Sequence, residues 1–322
     1  MTHDNSYTTE EIAKLLRISK LTVYDLIKKG ELPAYRVGRQ MRVDASDLEA
    51  YKQQAKGEYR SVHPYPHQSA STPAGTTSHV PTQHGQATRS VIISGQDVSL
   101  DMLANHLERN GDSIRPLRSY VGSINSLWAM YRGEADIVST HLFDGDTGEY
   151  NIPYVRRMLI GHRYLVINLL SRWAGFYVQP GNPKKLSVWE DFRRAGVRMV
   201  NREKGSGIRT LIEEQFRLHG IAGHEVAGYE REEGNHLAVA GAVARGEADI
   251  GVGIEKAGQL VGVDFLPVIQ ERYDLVMLKT DENKALIRQV RETLLSEEFQ
   301  NELAAIGGYD LASTGKIMYE TW

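Results

Sequence analysis

Hydrophobic residues near the start of the chain recur at helical spacing in two short segments. In TTEEIAKLL, Thr8 followed by Glu11 forms a capping-box pattern at the start of a short amphipathic run. A second run, KLTVYDLIKKG, follows Ser19 and ends at Gly30. Two short helices separated by about three residues predict a helix-turn-helix. The next stretch predicts two short strands around residues 38–39 and then a third helix.

From residue 89 onward, short apolar runs alternate with amphipathic segments. Runs such as RSVIIS, YLVINL, DFLPVI and DLVML predict strands, and GIRTLIEEQFRLHG predicts a helix. The hexapeptide RGEADI occurs at 132–137 and again at 245–250, each time between a predicted helix and a predicted strand. This repetition indicates two similar lobes and an α/β fold class. Trp128 and Trp189 are predicted core residues.

Residues 57–88 separate these two patterns. They hold four of the ten prolines and almost no aliphatic residues, which predicts a flexible linker. Four histidines also lie here, but their irregular spacing without carboxylate neighbours favours linker composition over a metal site. The predicted organisation is therefore a small domain over 1–56, a linker over 57–88 and a large domain over 89–322.

Composition narrows the classes of function. The 322 residues include no cysteine, which excludes thiolate catalysis, cysteine-bound zinc and disulfides. No run of about 18 apolar residues and no secretory signal is present, so we expect a cytoplasmic protein without membrane contact. Residues 1–56 hold 10 Lys and Arg against 8 Asp and Glu, whereas the remainder holds 28 against 33. A small basic domain joined to a larger acidic domain is expected of a nucleic-acid-binding protein that has a second function.

The first domain also matches a known pattern. The run YTTEEIAKLLRISKLTVYDLIKKGELPAYRVGRQMRVDASDLEAYK resembles the excisionase/MerR-type winged helix-turn-helix over nearly all of residues 6–52. In a helix-turn-helix the second helix enters the major groove, and a wing contacts phosphates or the minor groove. The resemblance implies double-stranded DNA as partner, homodimers on two half-sites, and contacts from Ser19, Lys20, Thr22, Tyr24, Lys28, Arg36, Arg39 and Arg42. The alternative is a three-helix interaction module with solvated charges.

The large domain resembles the type II periplasmic-binding-protein fold, with the oxyanion-binding members most similar. That resemblance implies lobe one over 89–172 and 276–322 and lobe two over 173–275. The chain would cross between them near Trp173–Val178 and Glu271–Leu275, and the ligand would lie between the lobes. The expected architecture is a small winged helix-turn-helix followed by this two-lobed domain.

Candidate ligand residues cluster where strands turn into helices. Ser-Gly pairs start three predicted helices, and helix N-termini with neutral hydroxyl donors favour a small anion. The loop NREKGSGI also resembles the SRGD-SGT loop of tungstate-binding families, which implies Arg202 as a direct ligand, although Ile208 replaces their threonine. The candidates are Ser94, Gly95, Ser123, Arg202, Ser206 and Gly207, with His141 and His236 at the cleft edges. Helix caps, an interlobe ion pair at Arg202 and hydrogen-bonding histidines are the alternatives.

Together the resemblances imply a ligand-responsive, one-component transcriptional regulator. Its expected ligand is a small oxyanion, molybdate or tungstate, with no catalytic cofactor and no cation ligands. The chain lacks GxSxG, HExxH and phosphate-loop motifs, so it is not expected to be an enzyme. The alternatives are a regulator that senses molybdenum cofactor or an organic anion, a non-regulatory cofactor carrier, and an enzyme acting on a pterin-like or organic-acid substrate.

Overall fold

The computed structural model divides the chain into two compact units, Met1–Pro81 and Thr82–Trp322. The structure describes residues 6–16, 23, 26–27, 32–37, 40–48, 51–52, 88–109 and 114–322. The predicted linker lies outside the described residues except for residue 88.

The N-terminal unit contains a short helix and a three-stranded antiparallel sheet of order β1-β3-β2. The predicted capping box is confirmed, because the Thr8 N–H donates to Glu11 Oε2 at 2.8 Å and the Glu11 N–H donates to Thr8 Oγ1 at 3.3 Å. The two predicted strands around residues 38–39 are also present and pair with each other. The elements are β1 (Ser6–Thr8), α1 (Thr9–Leu16), β2 (Tyr35–Val37) and β3 (Gln40–Asp44), and residues 45–48 are helical. The fully buried core residues are Ile12, Val23, Leu32, Val43 and Leu48.

The C-terminal unit is built on a 10-stranded mixed sheet of order β5-β4-β6-β11-β7-β10-β8-β9, with β12 and β13 also pairing with β7. Its strands are β4 (Arg89–Ser94), β5 (Ile114–Ser119), β6 (Ile137–Thr140), β7 (Tyr164–Val178), β8 (Met199–Arg202), β9 (Glu232–Glu233), β10 (Ile250–Ile254), β11 (Asp264–Leu278), β12 (Tyr309–Asp310) and β13 (Ile317–Glu320).

Helices cover this sheet. They are α2 (Ser99–Arg109), α3 (Ser123–Tyr131), α4 (Ile152–Met158), α5 (Gly207–Leu218), α6 (His236–Ala244), α7 (Glu255–Val261), α8 (Lys284–Leu295) and α9 (Glu297–Ile306), with short 3-10 turns at Trp189–Arg193 and Gly223–Glu225. None of the helices in the described ranges is both long and apolar enough to cross a membrane.

Two long strands run through both lobes. β7 and β11 pair antiparallel from Tyr164↔Leu278 to Val178↔Asp264, so they join lobe one to lobe two without a break. β6 pairs with the lobe-one end of β11, and β10 pairs with the lobe-two end of β7. DFLPVI and DLVML, predicted as separate strands, are one strand with irregular pairing at Pro267/Ile269 and Tyr273/Asp274. The predicted crossings therefore lie inside continuous strands.

Each lobe has its own apolar interior. In lobe one, β4, β6 and the helices α2, α8 and α9 contribute to one cluster, and α3 and α4 contribute to a second. In lobe two, Trp189 is buried as predicted and packs against Phe176 and Phe192. The prediction for Trp128 is wrong, since its side chain is 47% exposed. Helical spacing turns its neighbours Leu127 and Met130 inward and leaves Trp128 on the outer face of α3.

Candidate ligand-binding cleft

The two lobes of the C-terminal unit contact each other directly along one side of the cleft. The Ile124 N–H at the start of α3 donates to the carbonyl of Gly205 at 3.1 Å. A Cβ placed on Gly122 would lie 2.6 Å from that same carbonyl oxygen. Beside this contact, Arg202 Nη2 donates to Gln96 Oε1 at 2.8 Å, and Gln96 Nε2 donates to Glu203 Oε1 at 3.1 Å. The lobes are therefore closed on each other here.

A cavity of about 290 Å³ lies between the lobes. Polar side chains from both lobes and from the shared strands line it: Gln96, Asp97, His141, Arg172, Asn235, His236, Lys256, Tyr273 and Tyr309. Apolar side chains complete its walls: Val98, Leu237, Ile254, Ala257, Leu260 and Ile306. A cavity with apolar walls and a few convergent polar groups is typical of a small-molecule site.

A buried ionic network forms part of this cavity. Arg172 on β7 bonds the carboxylate of Asp97, and its Nε donates to Glu271 Oε1 on β11 at 2.6 Å. His141 Nδ1 lies 3.1 Å from Glu271 Oε2, and the Tyr309 hydroxyl donates to Asp97 Oδ1 at 3.0 Å. Asp97, Arg172 and Glu271 are all buried. Buried charges persist when they are paired and hydrogen-bonded, and each of these is.

Glu271 is ionised at neutral pH despite its burial. Burial disfavours the carboxylate, but the neighbouring His141 and Arg172 more than offset this and lower the pKa of Glu271 to about 2. The Arg172 guanidinium also lies over the ring of Tyr273, 4.6 Å from its centroid. The network therefore keeps Glu271 charged beside the Arg172 guanidinium.

His236 begins helix α6 and faces the cavity from lobe two. The preceding Asn235 caps the helix, since its Oδ1 accepts the Ala238 N–H at 2.8 Å. His236 Nδ1 is buried and has no hydrogen-bond partner among the described residues. Burial, together with the charges of Arg202 and Arg172, lowers the pKa of His236 well below 6.5. Its imidazole is therefore neutral at physiological pH.

The predicted serines surround the cleft, but their hydroxyls already have protein partners. Ser94 Oγ lies 2.8 Å from Ser126 Oγ, and Ser123 Oγ accepts the His141 N–H at 3.3 Å. Ser206 Oγ accepts the Arg209 N–H at 3.2 Å and donates to the carbonyl of Glu203 at 3.0 Å. The Ser206 contact caps α5 and matches the helix-cap alternative, whereas Ser94 and Ser123 contact groups outside their own helix starts. None of the three serines lines the cavity.

The predicted glycines allow close packing at the same place. A Cβ on Gly95 would overlap the hydroxyl of Ser139, and a Cβ on Gly207 would lie 2.5 Å from the His141 ring. Gly207 thus lets α5 approach His141, which itself lines the cavity. Of the eight predicted ligand residues, the structure brings His141 and His236 to the cavity wall.

Arg202 is almost completely buried and does not line the cavity. Its Nε donates to Glu203 Oε2 at 2.7 Å, and its Nη2 reaches Gln96 in the other lobe at 2.8 Å. The contact of Arg202 across the lobes is thus a hydrogen bond to a neutral amide, whereas its ion pair is with Glu203 of its own lobe. Its role as a direct anion ligand remains a prediction.

Most of the predicted DNA contacts lie outside the described residues, namely Ser19, Lys20, Thr22, Tyr24, Lys28 and Arg39. The backbone of Arg36 lies in β2, opposite Met41 of β3. Arg42 lies in β3, and its Nη1 donates to Ser6 Oγ at 3.0 Å. The DNA-contact residues therefore remain predictions.

The ionic network was missed from the sequence, although a signal for it exists. Arg172 is the one charged residue in the run YLVINLLSRWAGF, and Glu271 is one of three charged residues in the run VIQERYDLVML. Both fall at the predicted lobe crossings, and the strand register places them directly opposite each other. A charge in a buried strand needs a partner, so the two residues could have been paired.

One group of metal-ligating side chains occurs in the part of the chain that the structure describes. Ligand atoms of His106, Glu298 and Glu302 lie within 4.8 Å of one another, on helices α2 and α9. His106 Nε2 already pairs with Glu302 Oε2 at 3.0 Å, and none of the three residues lines the cavity.

Comparison with known proteins identifies both units. The family described as PBP superfamily domain matches residues 104–295, and the family described as helix-turn-helix domain matches residues 6–56. The protein YvgK of Bacillus subtilis (strain 168) is 48% identical over 321 residues, which cover 100% of each chain.

Solved structures show the same fold for the C-terminal unit. The sulfate-binding protein SubI from Mycobacterium tuberculosis H37Rv has a TM-score of 0.51 at 13% identity, covering 68% of this chain and 86% of that chain. A histidine kinase sensor domain with similarity to periplasmic binding proteins has a TM-score of 0.50 at 12% identity, covering 69% and 97%. The chain therefore belongs to the PBP superfamily domain family and carries a helix-turn-helix domain at its N-terminus.

Proposed function

We propose that the chain is a cytoplasmic transcriptional regulator that reads DNA through its helix-turn-helix and responds to a small anion held between its lobes. One observation carries this proposal: a helix-turn-helix domain shares the chain with a binding-protein-like domain whose lobes enclose a cavity of about 290 Å³. The proposed DNA-bound form is a homodimer, because helix-turn-helix readers place two recognition helices on two half-sites about one helical turn apart.

The proposed signal is the change between open and closed lobes. The shared strands β7 and β11 join the lobes, and the contacts from Gly205 to Ile124 and from Arg202 to Gln96 form only when the lobes meet. A ligand that touches both lobes favours the closed arrangement by its differential affinity. In a dimer, closure would alter the spacing of the two DNA-binding domains.

Two ligand classes are supported by different observations. A tetrahedral oxyanion, molybdate or tungstate, is favoured by the tungstate-like loop around Arg202 and by the helix starts that meet near Ser123 and Ser206. An organic anion or molybdenum cofactor is favoured by the apolar walls of the cavity. A cofactor carrier without a regulatory role would bind the same ligand but leave DNA affinity unchanged.

The test uses the full chain and DNA selected with it from a random pool. Calorimetry with molybdate, tungstate, sulfate and small organic acids identifies a ligand, and fluorescence anisotropy then measures DNA affinity with and without it. We expect a change in DNA affinity of about tenfold or more, which corresponds to about 1.4 kcal/mol of coupling. Ligand binding with unchanged DNA affinity would support the carrier and contradict the regulator.

A further inference from the structure

The cavity has room for more than a tetrahedral oxyanion. Its volume is about 290 Å³, close to the lower end of the roughly 300–1,000 Å³ that small-molecule sites span. An oxyanion of five non-hydrogen atoms would fill only part of this space. The remainder would leave apolar walls facing water.

Those walls come from both lobes, and several of their apolar side chains are about half exposed or more. Val98 of lobe one is 51% exposed, and Leu237 and Leu260 of lobe two are 49% and 68% exposed. Ile306 at the end of α9 lines the same cavity. Grouped exposed apolar side chains in a cleft mark a binding surface for an apolar body. Only a ligand that reaches both lobes would cover this surface.

The charges of the cavity are nearly balanced before any ligand enters. Asp97 and Glu271 face Arg172, and Glu271 also faces His141. His236 is neutral, as its burial and the nearby arginines dictate. Among the described residues that line the cavity, Lys256 is the remaining cation, and its Nζ donates to the carbonyl of Ile306 at 2.7 Å rather than to a carboxylate. Arg172 and Lys256 together match Asp97 and Glu271, so these cations leave no surplus positive charge for a dianion, and a ligand of low charge is favoured.

One hydrogen-bond donor remains for an acceptor group. Nη2 of Arg172 makes no hydrogen bond to any described residue, and Arg172 lines the cavity. A guanidinium N–H is well suited to a carboxylate oxygen. We infer that the ligand of this cleft is a small organic monocarboxylate, with its carboxylate toward Arg172 and its apolar body between Val98, Leu237 and Leu260. This inference rests on the proposed ligand-responsive function and specifies its ligand.

The test compares probes of matched shape on the full chain by calorimetry. Phenylacetate carries one negative charge, phenylacetamide has the same shape without charge, and molybdate is a small dianion. We expect phenylacetate to bind at least about tenfold more tightly than phenylacetamide, a ratio that corresponds to about 1.4 kcal/mol. Benzoate, 3-phenylpropionate and hexanoate extend the panel in length and shape.

Two variants locate the bound probe. Leu237→Asp places a carboxylate on the cavity wall and is expected to weaken phenylacetate binding by about tenfold or more. Leu295→Asp is the matched control, because Leu295 is 57% exposed on α8 and does not line the cavity. Lys256→Gln is expected to weaken phenylacetate by about three- to tenfold and to leave phenylacetamide unchanged.

The outcomes separate this inference from the proposed function. Binding of molybdate or tungstate that is insensitive to Leu237→Asp, with all four monocarboxylates silent, would overturn the inference and still allow a regulator. If calorimetry detects binding of none of the probes, the inference is overturned as well. Monocarboxylate binding that fails to alter DNA affinity would support the ligand assignment and contradict the regulator. Monocarboxylate binding that is weakened by about tenfold or more in Leu237→Asp and unchanged in Leu295→Asp is the expected result.

Discussion

The two lobes contain the same hexapeptide, RGEADI, and fold it in the same way. Asp136 Oδ2 accepts the Ile92 N–H at 2.8 Å in lobe one, and Asp249 Oδ2 accepts the Arg198 N–H at 2.8 Å in lobe two. The glycines of both copies have left-handed φ angles, +73° at Gly133 and +70° at Gly246. In both copies an arginine also pairs with the glutamate two residues later. The repeated hexapeptide thus fixes the geometry of the turn that connects a helix to the following strand.

The helices that lead into the two copies begin differently. Helix α3 of lobe one starts after Gly122, whose small size admits the backbone of Gly205 from the other lobe. Helix α6 of lobe two starts at His236, which faces the cavity. The same scaffold therefore supplies an interlobe contact in one lobe and a cavity wall in the other. The repeated sequence therefore builds the common structure of the two lobes, and the helix starts, which differ, supply the contacts around the cleft.

The largest expected effect comes from the network that joins the lobes. Arg172→Leu leaves Asp97 and Glu271 buried without their cation, and we expect a loss of about 3–5 kcal/mol in the free energy of unfolding. Urea unfolding of the full chain measures this loss. Arg132→Leu, which breaks an exposed pair within the first repeat, is the control and should cost less than about 1 kcal/mol. Equal losses would contradict a special role for the shared strands.

Acid should act on the same network. The pKa of Glu271 is lowered to about 2 from 4.5, so its contribution to stability is present above pH 4.5 and is lost as the pH falls toward 2. Chemical unfolding across this range should show the free energy of unfolding falling more steeply in the wild type than in Glu271→Gln. Parallel pH profiles would contradict a charged, paired Glu271.

The repeated aspartates test whether the two scaffolds are equivalent. Asp136→Asn replaces a carboxylate that accepts a backbone N–H of β4, and Asp249→Asn replaces one that accepts the N–H of the residue just before β8. We expect similar losses of about 1–3 kcal/mol in the free energy of unfolding, since a charged acceptor is lost in both lobes. Neither substitution should change ligand affinity. A loss in only one lobe would contradict the equivalence.

The smallest expected effect concerns the helix starts. Gly122→Ala inserts a Cβ against the Gly205 carbonyl, so the closed lobes should be disfavoured and ligand affinity should fall by about tenfold. Gly234→Ala is the matched control before α6, because a Cβ there meets no atom within 4 Å. Calorimetric titration of both variants with the same ligand measures the difference. Equal affinities would show that the Gly122 contact does not govern closure.

Local patterns predicted the elements that depend on neighbouring residues. The capping box at Thr8 and Glu11 could be predicted from the sequence because both partners lie within one helical turn. The repeated hexapeptide likewise indicated two lobes. Strand β5 (Ile114–Ser119) was missed, because this edge strand holds two arginines and a proline, and its burial pattern contains no fully buried position.

The cavity chemistry depends on distant pairing and could not be derived from local patterns. Arg172 and Glu271 meet only because β7 and β11 pair in one register over their length. Ser94, Ser123 and Ser206 appeared suited to an anion, but packing supplied each hydroxyl with a protein partner first. Asp97 joins the network through Arg172 and Tyr309, which lie on other elements. The sequence therefore predicted the helix starts that surround the cleft, but it did not predict the buried ionic network of Asp97, Arg172 and Glu271.

The most direct test of the account is the DNA affinity of the full chain with and without a bound cavity ligand, measured by fluorescence anisotropy in the wild type and in Leu237→Asp. The account predicts a ligand-dependent change of about tenfold or more in the wild type, and in the variant the same change only at about tenfold or more higher ligand concentration. An unchanged affinity in the wild type at saturating ligand would contradict the regulator, and the same ligand dependence in both proteins would contradict the assignment of the cavity.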